Sequence, residues 1–522
     1  MLNAIYILVA GLVASIFGIL LFNYLFYNRY VDKSETHCLA ALVFTVSMSV
    51  ALLCVLLIPI DVFLASQSST KAITDTINVV IDRDIFNKIM YASFTISLFL
   101  SFVSIPFTFF YIDEKIEDIM PVENEFMTKL FTSFKHTLFF LLFIGIILLF
   151  GLFFRSESSP LTTTDTFKTL KTILDTEHFG DKAITFVITL FGIFGMIIVM
   201  FYGGYGLGSL PFYLIKGKKS LESSHERFEF DRAKARDRIR SLQEKMTRKG
   251  TLSSKEKKEL AKLKEEEILI SNKMDKINSI LENDNCFNKI LSMMTPFRVL
   301  IGICCLIMTL LVFISLLLTS LDRLMHSECG LSCGFVIKEN KFKNYVDHIL
   351  ILSSKFLHLD QILFAIINLY FYFCAIFGFC NIGIKIFCCT LYEVKRRSTN
   401  PQGLLILAFD LSIMTIAFVL EIMALCPQYA TFGSQVTSDG MKCNLTSDMS
   451  KCVMTNIAVF FNKISMSLPF FSSIFYFANW LLIGVISISF IYSMLCKEDE
   501  EFDDYRDEGD DEEKFALNDD VY

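Results

Sequence analysis

Residues Leu39 to Leu64 read LAALVFTVSMSVALLCVLLIPIDVFL, a run of 26 in which Asp61 is the single charged side chain. A helix of that length rises about 39 Å, more than the ~30 Å hydrocarbon layer requires, so the run reads as a membrane span. The same pattern recurs on both sides of it. With a window of about 19 residues, spans fall at Ile5 to Tyr27, Leu39 to Leu64, Ile89 to Tyr111, Thr137 to Phe154, Ala183 to Ile215, Val299 to Leu318, Gln361 to Cys389, Gly403 to Cys426 and Phe471 to Leu495. The expected fold class is therefore all-α: a polytopic integral membrane protein of about nine transmembrane helices. The fifth and seventh spans are long enough to tilt or kink.

Composition agrees. The 522 residues are 53% hydrophobic with 54 Phe and a single Trp, and the mean hydropathy is +0.51, too apolar for a soluble enzyme of this length. The net charge of −7 hides a basic middle and an acidic tail, which argues against a nucleic-acid partner and leaves the lipid bilayer as the principal surroundings. Ile5 to Tyr27 lacks a preceding basic region and a small-residue cleavage site, so it is expected to be retained as a span. No lipidation pattern accompanies it.

The positive-inside rule sets the orientation. Lys395-Arg396-Arg397 follow the seventh span, and Lys216, Lys218 and Lys219 follow the fifth, so both loops belong in the cytosol. Nine spans then put the N-terminus in the lumen and the C-terminus in the cytosol. Glycans and disulfides belong on the luminal side, and they agree. The sequon Asn444-Leu445-Thr446 lies in the loop after the eighth span, together with Cys443 and Cys452, while Cys329 and Cys333 share the other long luminal loop. These four are candidate luminal disulfide partners whose pairing stays open.

The expected domains are a first membrane block of five spans (1–219), a cytosolic helical hairpin (220–297), a second block of four spans (298–495) and an acidic disordered tail (496–522). In the hairpin, Arg232, Ala235, Ile239, Leu242 and Met246 repeat at three and four residues, as do Leu260, Leu263, Glu267, Ile270, Met274, Ile277 and Leu281. Arg248-Lys249-Gly250-Thr251 breaks the run and permits a reversal. The hairpin is either a solvated spacer or a partner-docking coiled coil. Glu265, Leu269 and Ile270 fit the acidic dileucine pattern that endocytic adaptors read.

No phosphate loop, zinc-protease, nucleophile-elbow or zinc-spaced Cys pattern occurs, so no catalytic or metal residues are assigned. Ionisable groups inside spans are costly and are functional candidates by default. Asp410 and Glu421 stand eleven residues apart, close to three turns, and so share one helix face. Lys385, near the cytosolic end of the seventh span, is placed at a depth from which it could reach Asp410. The three form a candidate intramembrane polar site, read as a polar or proton-coupled path or as a packing ion pair. Asp61 is expected at the luminal end of the second span with no special role. Tyr202-Gly203-Gly204-Tyr205-Gly206-Leu207-Gly208-Ser209-Leu210-Pro211 is either a tight packing seam or a hinge.

Collinear motifs then carry a resemblance along nearly the whole chain. They are Leu57-Ile58-Pro59-Ile60-Asp61-Val62-Phe63-Leu64, Tyr205 to Pro211 with Leu214-Ile215-Lys216-Gly217, and Leu321 to Ser327. They continue with Asn381-Ile382-Gly383-Ile384, Arg396-Arg397 with Pro401 to Leu405, Pro427-Gln428-Tyr429 with Gly433-Ser434-Gln435, and Asn479-Trp480. The chain resembles the limb-region-type (LMBR-type) membrane proteins, which include the lipocalin receptor. Within them it resembles the members that serve lysosomal cobalamin transport. The resemblance implies a lysosomal multi-pass protein that is required for cobalamin export and acts as escort or accessory subunit of an ABC transporter of subfamily D. Cobalamin, with its cobalt, is then transported ligand rather than bound cofactor. The family also brings clathrin-adaptor contacts, plasma-membrane residence and a homodimer into view. Competing readings are an endocytic receptor of lipocalin-receptor type and an autonomous channel or carrier along the Asp410 and Glu421 face. Lys385, Asp410, Glu421, Cys329 and Cys333 are not part of the family pattern, and no cobalamin-contacting residue is carried over.

Overall fold

In the computed structural model, the structure describes residues 2–32, 37–67, 83–113, 125–153, 179–216, 221–249, 260, 262–263, 267, 270–271, 297–327, 330, 341–356, 359–386, 389–395, 397–436, 443, 452–467 and 469–495. Among the described residues, helices occupy all nine expected span positions; eight of them are long and apolar enough to cross a membrane, and the 29-residue α1 (Leu2–Tyr30) stands at the ninth position.

In chain order the others are α2 (Cys38–Gln67), α3 (Arg83–Phe99), α4 (Ile105–Asp113), α5 (Glu125–Phe153), α6 (Phe179–Ile198), α7 (Gly204–Lys216) and the hairpin helix α8 (Leu221–Lys249). Then come α9 (Arg298–His326), α10 (Tyr345–Ser353), α11 (Leu359–Ile382), strands β1 (Ile384–Ile386) and β2 (Cys389–Tyr392), α12 (Pro401–Leu425), α13 (Pro427–Phe432), α14 (Asn456–Ser467) and α15 (Pro469–Leu495).

The third and fifth spans each contain a π-helical turn. Leu100–Ser104 joins α3 to α4, with Ile105 N–H donating to Leu100 O. Val199–Gly203 joins α6 to α7, with Gly204 N–H reaching Val199 O. The first has a local cause in Pro106, whose ring would clash with the carbonyl four residues back in a regular helix. The wider turn moves that carbonyl aside. The expected bend of the fifth span is thus a single wide turn directly before its glycines.

The seventh span is shorter than expected. Its helix stops at Ile382, and Ile384 to Tyr392 form an antiparallel two-stranded ribbon. Hydropathy alone cannot separate this β-branched, apolar ribbon from a helix end.

The chain divides into two compact units, Met1–Ser209 with Ile307–Phe490 and Leu210–Leu306 with Ile491–Tyr522. The first unit draws residues from both membrane blocks expected at 1–219 and 298–495. In the first unit α12 is the axis: its residues from Leu411 to Leu425 are all buried, packed by α6 and α2, with α4, α13 and α14 alongside. An α-helix that is apolar all round needs neighbours all round, and only helices from both blocks supply them. The peripheral α5 is the opposite case, with Phe131, Phe134, Phe139 and Phe143 all exposed on its outer side.

Two glycine contacts join the fifth and seventh spans. A Cβ on Gly206 would overlap the Cys374 carbonyl, and one on Gly378 would overlap that of Tyr202. The Tyr202 ring stacks on Phe379 at 3.8 Å. Of the two readings of the Gly-dense stretch, backbone-to-backbone approach is what these positions provide: a packing seam.

Within the second unit, α8 ends at Lys249, where the reversal is expected. The far-arm residues Leu260, Leu263, Glu267 and Ile270 are helical. Arg236 Nε meets Glu267 Oε1 at 2.5 Å, pairing positions equidistant from the turn. Ile239 and Leu242 are buried.

Candidate functional site

Asp410 and Glu421 both lie on α12, but their surroundings differ. Asp410 is partly exposed, whereas Glu421 is 2% exposed. With Asn368 and Phe371 of α11 and with Phe418 and Leu425, Glu421 lines a narrow space that has no room for a water molecule. Neither Glu421 oxygen has a hydrogen-bond partner, and both amide atoms of Asn368 also lack one. The charged group whose field reaches Glu421 is Arg323 of α9, whose guanidinium lies 5.3 Å over the Phe475 ring. An acid and an amide thus lie in apolar packing with hydrogen bonds unmade, within the field of a guanidinium, an arrangement that costs stability and marks a site.

Asn368 and Arg323 escape a search for acids and bases alone: Asn368 is neutral, and Arg323 looks like an interfacial residue near a span end. Unmet buried groups cost roughly 1–3 kcal/mol each. Asn368→Leu is therefore expected to raise the thermal midpoint in detergent; a lowered midpoint would mean that the amide is held by something apolar packing cannot replace.

Lys385 does not join this group. It is exposed on β1, outside any helix, and among the described residues no ion pair links it to Asp410. Its backbone N–H instead donates to the Tyr202 hydroxyl at 3.0 Å. The separation follows from α11 ending early.

A second polar cluster closes one end of the first unit, and its members come from the motifs around Asp61, Asp322 and Pro427. Asp61 is buried, accepting from Asn456 Nδ2 at 2.7 Å and from Ile457 N–H at 3.1 Å. This corrects the expectation that it has no special role: it docks the start of α14 onto α2. Asp347 accepts the Tyr429 and Gln428 N–H groups at 2.9 and 3.3 Å, satisfying donors that open α13. Asn344 caps α10 through the N–H groups of Val346 and Asp347, and its Nδ2 donates to Leu425 O at 2.8 Å. Ser315 also donates to Leu425 O, at 2.6 Å.

Tyr429 donates to Asp360 Oδ2 at 2.8 Å. Burial and that carboxylate together push its hydroxyl well above the usual phenol range, so it remains a donor. Asp322 accepts from Lys341 N–H at 3.0 Å and pairs with His326 at 2.8 Å. Gly433, at φ 62°, lies so close to Ser66 that a Cβ would collide with its hydroxyl, and Ser434 N–H donates to that hydroxyl at 3.1 Å. Leu425 belongs both to this clasp and to the lining beside Glu421.

Cys443 and Cys452 form a disulfide with a Cα–Cα distance of 5.9 Å, which resolves their pairing. Gln435 ties the same loop to Val453 through two bonds of 2.7 and 2.9 Å. A cross-link of this short a loop contributes about 2–3 kcal/mol in the chain-entropy account. Cys443→Ser is expected to lower the thermal midpoint by the same amount as Cys452→Ser, and the double variant by no more; additive losses would mean the two are not bonded. Asn444, Cys329, Cys333, Glu265 and Leu269 lie outside the described residues, and Ile270 is helical and partly buried.

At the opposite end of this unit the loop after β2 adds to the end of α1. Thr399 N–H donates to Tyr30 O at 3.1 Å, Asp32 N–H to Thr399 O at 3.0 Å and Arg397 N–H to Arg29 O at 3.2 Å. Gln402 Nε2 reaches Asp113 Oδ1 at 3.4 Å. The span ends thus sort into two sets, as alternating crossings demand.

Comparison with known proteins places these observations. The family model described as LMBR1-like membrane protein matches residues 8–295. Among curated relatives, the lysosomal cobalamin transport escort protein of Homo sapiens is 31% identical over 92% of each chain. That of Xenopus tropicalis is 30% identical over 95% of this chain and 97% of its own. A probable lysosomal cobalamin transporter of Nematostella vectensis is 26% identical over 95% of each. No solved structure matches the chain.

Proposed function

This chain belongs to the LMBR1-like membrane protein family, and from that membership we propose that it is a lysosomal membrane protein required for cobalamin to leave the lysosome, acting as escort or accessory subunit of an ABC transporter of subfamily D. The observation that carries the reading is the length of the likeness. Relatives named as cobalamin transport escort proteins match more than nine-tenths of this chain and of their own, so the likeness runs along nearly the whole chain.

The packing supports an accessory role over an autonomous carrier. Along the face that would form a path, α12 is buried from Leu411 onward and the space beside Glu421 cannot admit water. With no phosphate loop in the sequence, energy for export would come from the partner.

The clasp end, with the disulfide and Asn444, is proposed to face the lumen. The Lys395-to-Arg397 loop, the hairpin and the C-terminal segment face the cytosol. Glycosidase treatment of the full-length protein is expected to remove a glycan that Asn444→Gln also abolishes; a glycan surviving that substitution would overturn the orientation.

The function is tested in lysosomes isolated from cells lacking the gene. Free cobalamin is expected to accumulate in the lumen and to fall when the intact protein is restored, with the ABC partner recovered in the same detergent complex. Unchanged lysosomal cobalamin would overturn the reading.

A further inference from the structure

The ninth span ends beside the root of the cytosolic hairpin. Lys216, in the last turn of α7, donates through Nζ to the carbonyls of Ser493 and Met494, the latter at 3.2 Å. An ammonium on the terminal carbonyls of α15 satisfies acceptors that the helix cannot. The chain beyond Leu495 therefore starts from a point fixed five residues before α8.

The two segments that leave this point carry opposite charge. From residue 232 to 249, α8 has eight Lys or Arg against two acids, the strongest basic excess in the chain. Lys234, Arg238 and Lys245 are exposed, and their spacing of four and seven residues lines them along one stripe. That stripe is about a quarter turn from the buried Ile239 and Leu242. Residues 497–522 carry 14 acids against three basic residues.

Reach and local concentration favour their meeting. Extended, 26 residues span roughly 80 Å, and α8 is about 43 Å long. A tether of this length holds the segment at roughly millimolar effective concentration. Single exposed ion pairs contribute little, but many charges facing many act together and weaken with salt.

We propose that the acidic segment 497–522 docks on the basic stripe of α8 as an intramolecular clamp. The hairpin then carries its own occupant, and an acidic external partner reaches that stripe only by displacing the tail.

The test uses the full-length protein in neutral phosphatidylcholine nanodiscs, with carbodiimide coupling of carboxylates to lysines read by mass spectrometry. At 150 mM salt, links from Glu498 to Glu513 are expected on Lys234, Lys245 and Lys249, falling at least tenfold at 1 M. Reversal of Lys234, Arg238 and Lys245 to Glu is expected to remove the link to Lys249. Reversal of Asp510, Asp511, Glu512 and Glu513 to Lys on that background is expected to restore proximity, read with an amine-reactive linker between the new lysines and Lys249. Absence of the links, indifference to salt, or links only between isotopically distinct copies in a mixed sample would overturn the proposal. The salt titration of the unaltered protein decides the matter if a reversed variant fails to fold.

Discussion

Gly206→Ala is expected to destabilise the protein by about 3 kcal/mol or more, because the added methyl overlaps the Cys374 carbonyl and overpacking of this kind is relieved only by moving backbone. A clash with a flexible side chain could be absorbed by a rotamer change. Here the neighbour is the main chain of α11, itself held by the reciprocal approach of Gly378 to Tyr202 and by the Tyr202 to Phe379 stack. Gly378→Ala should therefore cost a similar amount, and the double variant should cost less than the sum, since either methyl forces the same two helices apart. Gly145 and Gly484 have nothing within 4 Å of the point where a Cβ would stand, and their Ala variants serve as controls with little change. The measurement is the thermal midpoint of monodisperse protein in detergent. Equal midpoints for Gly206→Ala and Gly145→Ala would refute the seam.

Asp61→Ala is expected to cost about 2–4 kcal/mol. It leaves the buried Ile457 N–H without its acceptor and takes one of two acceptors from the Asn456 amide, which keeps Asn87 Oδ1, and hydrogen bonds to a charged group are worth about 1.5–3 kcal/mol each. The loss should be local first. The start of α14 would detach from α2, and amide exchange across Asn456 to Phe461 should quicken while α12 stays protected. Asp61→Asn retains one acceptor oxygen and should lose about half as much. If both variants melt as the unaltered protein does, the clasp is not anchored through this residue. Because the clasp shares Leu425 with the space beside Glu421, a destabilised clasp is also expected to weaken cobalamin export if the proposed function holds.

The two predictions divide what could be read in advance from what could not. Apolar runs of adequate length are enough to locate nine helices, because lipid requires every backbone group to be paired within its own segment. The same logic made Glu421 conspicuous, since an acid in such a run is expensive. The Gly-dense stretch around Gly206 was legible as unusual, but seam and hinge have the same composition. Only the placement of Cys374 and Tyr202 against it distinguishes them. Lys385 illustrates the converse error: hydropathy extended α11 through a β ribbon, because β-branched and apolar residues look alike to a window average.

Asp61, Asp347 and Asp360 show the deeper limit. Asp61 reads as an ordinary interfacial carboxylate and no motif singles out Asp347 or Asp360, yet each is buried with partners tens to hundreds of residues away. Sequence by itself determined the membrane class, the span positions, the alternation of their ends and the family, since these depend on local hydrophobicity, charge near span ends and collinear motifs. Tertiary structure alone decided that both membrane blocks surround α12, that Cys443 pairs with Cys452, and that Asn368 and Arg323 share the surroundings of Glu421. Such facts depend on which distant groups meet, and a hydrogen bond or a steric overlap is set by distances of a few tenths of an ångström that no local pattern encodes.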